Sequence, residues 1–288
     1  MSRLTYPSTK DRFSVFDFAE DTPFDFAEDT PYTVRAADVM YITTLEDVEP
    51  AVFRLVSSSP GYIGFDLEKG GPSRSVATLQ IATSDVVLVI QTAMFSESLP
   101  PKTLPSCLVD LLNNPEIEKV GVGIRSDAMC LKRDFDVDVM ACVELSYAAK
   151  CVEAAWPSRK VPLRRRLQTP RWWFSPPKIR PFAHEIALAE LTKHFLEVKL
   201  DKTRGAKDWT RELTESELDY AACNADTGYM LYSHLWRKPH FTGLPQSKYR
   251  FDIVGGKAML NAICGENLVS QVCHRANIDL TLWEARQC

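Results

Sequence analysis

The spacing of apolar residues along the chain predicts strands first and helices afterwards. The segments GYIGFDLE, SVATLQIAT and DVVLVIQT are short, apolar and rich in β-forming residues, with a turn at Gly70, Gly71 and Pro72 between the first two. They predict an antiparallel opening to a sheet. KVGVGI predicts a further buried strand, followed by a helix over SDAMCLKRDF.

The second half of the chain reads as helical after a long irregular insert. AHEIALAELTKHFL and TESELDYAACNADTGYMLYSHLW predict two helices, the latter with a capping box at Thr214 and Glu217 and an end marked by Pro239. Near the start, residues 39–42 predict a short strand that leads into a helix capped at Thr43 or Thr44. The pattern predicts an α/β fold, with a central mixed sheet that opens with antiparallel strands and is flanked by helices.

Three regions are expected: an acidic aromatic arm over residues 1–35, a folded domain over 36–238 and a C-terminal helical extension over 239–288. The arm contains FDFAEDTP twice in tandem, at residues 16–31. Two copies of so short a unit do not build a repeat core, so a disordered or loosely docked arm is favoured. The alternative is that its phenylalanines dock a protein partner or that its acids mimic an anionic ligand. The extension either packs on the domain or contacts a partner.

Composition fits an ordinary globular protein, with 288 residues, 45% hydrophobic and 25% charged positions and a net charge of −4. No apolar run or N-terminal signal pattern predicts a membrane span or secretion, so we expect an intracellular protein with no membrane partner. The eight cysteines lack CxxC spacing and are expected to be reduced, mostly buried thiols. Packing is also favoured over a metal site for the C-terminal group of Cys264, Cys273, His274 and Cys288.

Five polar residues carry the candidate chemistry. Asp66 and Glu68 lie two apart on a predicted strand, so both carboxylates face one side and can reach one hard cation. Asp127 lies where a strand turns into a helix, a position at which an aspartate is more often only a cap. Tyr220 and Asn224 lie four apart on one helix face. Each signal is weak alone, because acidic pairs at strand ends are commonly solvated.

Together these segments resemble the three exonuclease motifs of the DEDD superfamily in its tyrosine branch, the ribonuclease D-like and Werner-type 3′-5′ exonucleases. The segments that carry the resemblance are IGFDLE with VATLQIAT, then VGVGIRSDAMCLKRDF, then LDKTRGAKDWTRELTESELDYAACNAD, within roughly residues 38–238. The resemblance implies a ribonuclease H-like (DnaQ-like) exonuclease fold. It also implies hydrolysis of DNA or RNA from a free 3′ end, releasing nucleoside 5′-monophosphates.

The resemblance also implies roles for individual residues. Asp66 and Glu68 match the first motif, Asp127 the second and Tyr220 the third. Two divalent ions, Mg²⁺ or Mn²⁺, would lie roughly 3.5–4 Å apart and clamp the scissile phosphate. Asp66 would bridge both ions, Glu68 would hold the one that carries the attacking water, Asp127 would support the other, and the Tyr220 hydroxyl would orient that water.

Asn224 departs from the family pattern, which has an aspartate there as a direct metal ligand. An amide removes one negative charge from the site and turns one acceptor into a donor, so we expect weaker metal binding and severely reduced activity. Asp226 lies about 200° around the helix axis from position 224 and is expected to face away. Three interpretations stay open: a natural pseudo-enzyme, an active relative with weakened metal use, or an aspartate replaced deliberately. The intact remainder of the motif set favours recent or deliberate replacement.

Residues 159–180 combine basic and aromatic side chains without an acid, which is typical of a surface that binds a nucleic-acid strand. The alternative is a surface loop anchored by its aromatics. The predicted nucleic-acid contacts are Arg164, Arg165, Arg166, Arg171, Trp172, Trp173, Lys202 and Lys207.

The sequence therefore predicts a metal-dependent 3′-5′ exonuclease domain that Asn224 impairs. The alternative is a catalytically silent pseudo-exonuclease that binds nucleic acid or scaffolds other proteins. The resemblance to Werner-type proteins suggests the nucleus rather than the cytoplasm.

Overall fold

The computed structural model describes residues 30–36, 38–72, 74–95, 103–152, 185–201, 203, 205–206, 208–238 and 250–260. Its strands are β1 Thr30–Pro31, β2 Asp38–Ile42, β3 Tyr62–Gly70, β4 Ser75–Ala82, β5 Val86–Ile90, β6 Glu118–Gly121, β7 Val139–Glu144, β8 Val198–Lys199, β9 Arg250–Val254 and β10 Lys257–Leu260. Its α-helices are α1 Val48–Val56, α2 Ser106–Leu112, α3 Ile124–Phe135, α4 Leu145–Val152, α5 Leu188–Phe195 and α6 Glu215–Trp236. None of these helices is long and apolar enough to cross a membrane.

Eight of the strands form one mixed sheet in the order β10-β9-β7-β6-β3-β4-β5-β2. The run β3-β4-β5 is antiparallel, which confirms the predicted opening. On either side of it the pairing is parallel, between β2 and β5 and along β3, β6 and β7. The short strands β1 and β8 pair separately.

Helices cover both faces of the sheet, as the predicted α/β fold requires. The apolar sides of α1, α2 and α3 pack with Ile63, Phe65 and Leu67 of β3 in one core cluster. Helices α4 and α5 and the C-terminal half of α6 form the core of the opposite face. The N-terminal half of α6 packs over β4 and β5 on that same side, so α6 crosses much of the sheet.

Several local predictions need correction. Helix α1 begins after Asp47 rather than at a threonine cap, although the Thr44 hydroxyl hydrogen-bonds the Asp47 side chain over 2.6 Å. Part of the segment that we expected to be irregular forms β7 and α4. The sequence of β7 shows no alternation of apolar and polar residues, because the strand is buried on both faces. Ala141 within it also has a positive φ of 54°.

The prediction of a helical extension is wrong for residues 257–260, which form β10 in a hairpin with β9. Tight turns favour glycine at positive φ, and Gly255 and Gly256 supply φ values of 58° and 77° between the two strands. Strand β9 then pairs antiparallel with β7. These strands therefore belong to the domain sheet, and the boundary expected at residue 238 does not separate them from it. Residues 261–288, with the cysteine group, lie outside the described residues.

The last residues of the predicted arm are attached to the domain. Tyr32 is buried, and its hydroxyl donates a 2.7 Å hydrogen bond to the Asp226 carboxylate on α6. The Arg35 backbone N–H donates to the same oxygen over 2.7 Å. Residues 1–29, which include almost all of the tandem repeat, lie outside the described residues.

Candidate functional site

A pocket of about 340 Å³ lies where β3, the start of α3 and the first half of α6 meet. It brings together all five residues that the sequence singled out. Its lining residues are Phe65, Asp66, Leu67, Glu68, Gly121, Val122, Gly123, Ser126, Asp127, Ala187, Leu188, Tyr220, Asn224 and Gly228.

Strand alternation aims the first two carboxylates at α6. Phe65 and Leu67 point into the core beneath the sheet, so Asp66 and Glu68 point to the other face. Gly64 lies on that face too, and a Cβ built on it would lie 2.0 Å from the carbonyl oxygen of Ala225. The absence of a side chain at Gly64 therefore lets α6 approach the strand that carries both carboxylates.

Asp127 is positioned by a turn between β6 and α3. Gly123 precedes the helix in the left-handed region, with φ 73°, a conformation that glycine adopts without strain. The Glu144 carboxylate at the end of β7 accepts hydrogen bonds from the Gly123 N–H over 2.9 Å and from the Ser146 N–H over 3.1 Å. Burial raises the pKa of Glu144 to about 8. This carboxyl therefore joins the helix that carries Asp127 to the neighbouring strand.

The start of α6 is also firmly held. Thr214 and Glu217 form the predicted capping box, in which the Thr214 hydroxyl accepts from the Glu217 N–H and the Glu217 carboxylate accepts from the Thr214 N–H. The buried amide of Gln91 donates to the Trp209 carbonyl oxygen over 2.9 Å, in the loop before the helix. These contacts fix the helical turn that carries Tyr220 and Asn224.

The charge around Asp127 is partly balanced within the chain. The Lys69 Nζ lies 3.5 Å from Asp127 Oδ1, and the two side chains are only 23% and 12% exposed. Burial raises the pKa of Asp127 well above its ordinary value, the charge of Asp66 raises it further, and Lys69 opposes both effects. The carboxylates that line the pocket therefore repel one another, and a bound cation would reduce this repulsion.

Tyr220 and Asn224 face the same pocket from one turn of α6. Burial raises the pKa of Tyr220, hydrogen bonding by the Asn224 side chain lowers it, and the charges of Glu68 and Asp66 raise it. The tyrosine ring packs closely on the chain, because a Cβ on Gly205 would lie 3.3 Å from its Cζ. Asn224 is 6% exposed, and its Oδ1 has no hydrogen-bond partner. A buried amide oxygen without a donor is unfavourable unless something else binds it.

The donor set suits a hard divalent cation. Carboxylate and amide oxygens are the ligands that Mg²⁺ and Mn²⁺ prefer, and the unpartnered Oδ1 of Asn224 offers one more acceptor beside Asp66 and Glu68. The three carboxylates do not converge closely, however. Among the described residues, no group of three or more His, Cys, Asp and Glu side chains is placed to hold a metal ion. The types of ligand atom in the site thus suit a divalent cation, whereas the positions of the carboxylates do not form a metal-binding group.

Sequence reasoning missed Lys69 and Glu144. Lys69 follows the FDLE segment directly, so a basic residue beside a carboxylate pair was the available signal. Glu144 carried none, because β7 was not predicted. The expected nucleic-acid contacts at Arg164, Arg165, Arg166, Arg171, Trp172, Trp173, Lys202 and Lys207 lie outside the described residues.

Asp226 lies where the helix geometry predicted. Its carboxylate accepts hydrogen bonds from Tyr32 and from the Arg35 backbone, and it is not among the residues that line the pocket. It therefore does not supply the carboxylate that position 224 lacks.

Comparisons with known proteins agree with this arrangement. A family model described as 3′-5′ exonuclease matches residues 39–239. The Mus musculus bifunctional 3′-5′ exonuclease/ATP-dependent helicase WRN is 30% identical over 212 residues, which are 71% of this chain and 12% of that protein. The Homo sapiens exonuclease 3′-5′ domain-containing protein 2 is 30% identical over 150 residues, which are 51% of this chain and 20% of that protein. The chain thus spans a small part of each of these relatives.

A solved structure shares the fold at low sequence identity. Escherichia coli RNase D, described as an exoribonuclease involved in structured RNA processing, superposes with a TM-score of 0.51 at 17% identity. The match covers 73% of this chain and 47% of that one. At this identity the match bears on the fold alone, which is RNase H-like.

Proposed function

The chain belongs to the 3′-5′ exonuclease family, and we propose that it is a metal-dependent exonuclease that shortens nucleic acid from the 3′ end, impaired by the amide at Asn224. The observation that carries the proposal is the pocket in which Asp66, Glu68, Asp127, Tyr220 and Asn224 meet. Enzymes of this family use divalent metal ions, and the oxygen-rich lining suits Mg²⁺ or Mn²⁺.

When bound, two such ions would polarise the scissile phosphate, lower the pKa of a bound water and stabilise the departing 3′ oxygen. In the family pattern Asp66 would hold both ions, Glu68 the ion on the side of the nucleophile, and Asp127 the other. Carboxylates suit this work because their charge offsets that of the cations.

The protein side chains orient the nucleophile. The Tyr220 hydroxyl faces the pocket one helical turn before Asn224, and its raised pKa keeps it protonated at neutral pH. A protonated hydroxyl can both donate to and accept from an attacking water. We infer that Tyr220 orients this water and that Glu68, across the pocket, accepts its proton.

Asn224 weakens the arrangement electrostatically. Its Oδ1 can still approach a cation, but the amide contributes no negative charge. We therefore propose that the chain as given degrades little substrate. Once a negative charge is restored at position 224, we expect it to release nucleoside 5′-monophosphates. The substrate is DNA or RNA with a free 3′ end, and the basic segment at residues 159–180 is proposed to hold the strand.

The same amide also supports a second function, that of a silent module which binds nucleic acid or scaffolds other proteins. Replacement of the motif aspartate by Asn224 removes one charge from the site, which can abolish catalysis while the fold is retained. The two functions differ in what an aspartate at position 224 should do, because it restores an enzyme and leaves a scaffold inert.

The deciding experiment compares the unmodified chain with Asn224→Asp on single-stranded and 3′-recessed DNA and RNA, in Mg²⁺ and in Mn²⁺. We expect stepwise shortening from the 3′ end by Asn224→Asp, with mononucleotides identified by chromatography. Asn113→Asp, which adds the same charge at the exposed end of α2, is the matched control and should stay at the level of the unmodified chain. Binding of these substrates without degradation by Asn224→Asp would favour the scaffold and refute the exonuclease.

A further inference from the structure

Two polar residues of β4 lie directly opposite the first-motif carboxylates. In the antiparallel pairing of β3 with β4, Gln80 is the partner of Asp66. Thr78 is the partner of Glu68 in the same register. Directly opposed residues of antiparallel strands point to the same face of the sheet, with Cβ atoms about 4.5–5.5 Å apart. The side chains of Gln80 and Thr78 therefore lie beside the two carboxylates, on the face that α6 covers.

Neither side chain meets solvent or reaches the substrate pocket itself. Gln80 and Thr78 are both 0% exposed, and neither lines the pocket. Ala82, on the same face of β4, packs with Ala221 and Ala222 of α6, so the helix covers this part of the strand. A buried polar side chain costs free energy unless its hydrogen bonds are made, and an apolar pair would fill the same space without that cost.

The Gln80 amide makes only part of its hydrogen bonds in the observed orientation. Its Nε2 donates to Thr78 Oγ1 over 2.5 Å, and its Oε1 is buried without a partner. Rotation of the amide by 180° exchanges these two atoms and leaves the shape of the side chain unchanged. Oε1 can then accept from the Thr78 hydroxyl, which has its own proton to donate. Nε2 takes the place of the unpartnered oxygen and becomes a buried donor beside Asp66.

The Asp66 carboxylate can accept such a donor. An ionised carboxylate has about four acceptor sites, so a hydrogen bond from Gln80 adds to the interactions that Asp66 already makes. Hydrogen bonds from residues behind a metal ligand fix the orientation of that ligand. Their loss typically costs about 10–100-fold in metal affinity or activity.

We propose that Gln80 is a positioning residue for Asp66: with Oε1 accepting from Thr78, its Nε2 donates to the Asp66 carboxylate and orients it towards a divalent cation in the pocket. Thr78 acts in turn through Gln80, because its hydroxyl holds the amide in this orientation. The inference rests on the proposed function, since it concerns the metal site of the same reaction.

The test is the Mn²⁺ affinity of the full chain, measured by isothermal titration calorimetry both in the chain as given and in the Asn224→Asp background. Gln80→Met retains the length of the side chain and removes both polar atoms. It should bind Mn²⁺ about 10–100-fold more weakly. Thr78→Val should weaken binding less, because the amide is still present, and Thr78→Ser, which keeps the hydroxyl, should restore the original affinity.

Stability in urea separates positioning from packing. The double variant Thr78→Val/Gln80→Met removes the whole polar pair, and replacing both partners of a hydrogen bond by apolar groups of similar shape is nearly neutral. Its unfolding midpoint should therefore not fall, whereas its Mn²⁺ affinity should be as low as that of Gln80→Met alone. A pair that only supports the fold would show the opposite, with a lower midpoint and unchanged affinity.

Thr83→Val is the matched control. Thr83 follows β4 directly and is 2% exposed, and its hydroxyl is hydrogen-bonded to the backbone of Val86 in the turn to β5, outside the pocket. This variant makes the same change as Thr78→Val. It should lower the unfolding midpoint and leave Mn²⁺ affinity unchanged.

Unchanged Mn²⁺ affinity in folded Gln80→Met would overturn the proposal, as would the lack of Mn²⁺ binding by both the unmodified chain and Asn224→Asp. If Gln80→Met does not fold, as judged by circular dichroism, equal affinities of Thr78→Val and Thr78→Ser would overturn it instead.

Failure of the proposal is distinguishable from failure of the proposed function, which is read from 3′ shortening by Asn224→Asp. Weakened Mn²⁺ binding by Gln80→Met without any shortening by Asn224→Asp would support the role of Gln80 and refute the exonuclease. Shortening by Asn224→Asp with unchanged Mn²⁺ binding by Gln80→Met would support the exonuclease and remove Gln80 from its metal site.

Discussion

A methyl group on Gly64 would lie 2.0 Å from the carbonyl oxygen of Ala225, so β3 and α6 are in direct backbone contact at this point. Gly64 precedes Asp66 by two residues, and Ala225 follows Asn224. The separation between the carboxylate pair and the Tyr220–Asn224 turn is therefore set by a glycine. Any side chain at this position must displace the helix from the strand.

Gly64→Ala should consequently destabilise the domain and enlarge the pocket. Overpacking of a core typically costs about 1–3 kcal/mol, and contact with backbone atoms favours the upper end of that range. Chemical denaturation measures this effect. Gly228→Ala on α6, the helix that Gly64 contacts, is the control, because its Cβ would lie 3.4 Å from the Val120 carbonyl oxygen, an ordinary contact. The interpretation is wrong if both variants unfold at the same denaturant concentration.

The Tyr220 hydroxyl is predicted to act in turnover rather than in folding. Tyr220→Phe in an Asn224→Asp background should lower the rate of 3′ shortening by about a hundredfold, the low end of the range for a side chain positioned for general acid–base catalysis. Unfolding and Mn²⁺ affinity should barely change, because the ring still packs over Gly205. Full activity in the double variant would remove Tyr220 from the mechanism.

Much of the site followed from the sequence because each signal there is local. The pairing of Asp66 with Glu68 needs only the two-residue period of a strand, and the capping box at Thr214 fixes the register of α6. The same helical geometry led us to expect that Asp226 faces away, which is confirmed by its hydrogen bond to Tyr32. Local periodicity thus decides which side chains share a face.

The remainder depends on contacts between distant residues. The Lys69–Asp127 pair and the anchoring of Gly123 by Glu144 arise only when β3, β7 and α3 are assembled. Strand β9 was missed for a related reason. Its pairing with β7 is irregular, and the Asp252 carboxylate accepts a hydrogen bond from the Ala141 N–H over 2.7 Å. The spacing of apolar residues along the sequence does not indicate such a contact.

The end of the N-terminal arm should be held by the Tyr32–Asp226 pair. Tyr32→Phe removes one of two hydrogen bonds to a buried carboxylate, and a hydrogen bond to a charged group contributes about 1.5–3 kcal/mol. We expect a loss of that size in the free energy of unfolding. A double-mutant cycle with Asp226→Asn isolates the pair, because the second change should then cost less than it does alone. Strict additivity would show that the two side chains are energetically independent.

Glu144 should give the stability of the domain a pH dependence. Burial raises its pKa from 4.5 to about 8, so the folded chain binds a proton more tightly there than the unfolded chain does. The contribution is then fully present below pH 4.5 and is lost as pH rises through about 8. Within this window the slope is at most about 1.4 kcal/mol per pH unit.

Glu144→Gln should remove this slope. The amide cannot accept from both the Gly123 and Ser146 N–H groups, so the variant should be less stable than the unmodified chain at pH 5, with a gap that narrows by pH 9. Urea denaturation at both pH values measures the gap, and subtraction cancels other titrating groups, such as Lys119, whose pKa burial lowers to about 7. Glu46→Gln on the exposed surface is the control and should show no such difference. A gap that stays constant or widens with pH would mean that Glu144 is already ionised in the folded domain, and that its carboxylate holds Gly123 as a charged acceptor.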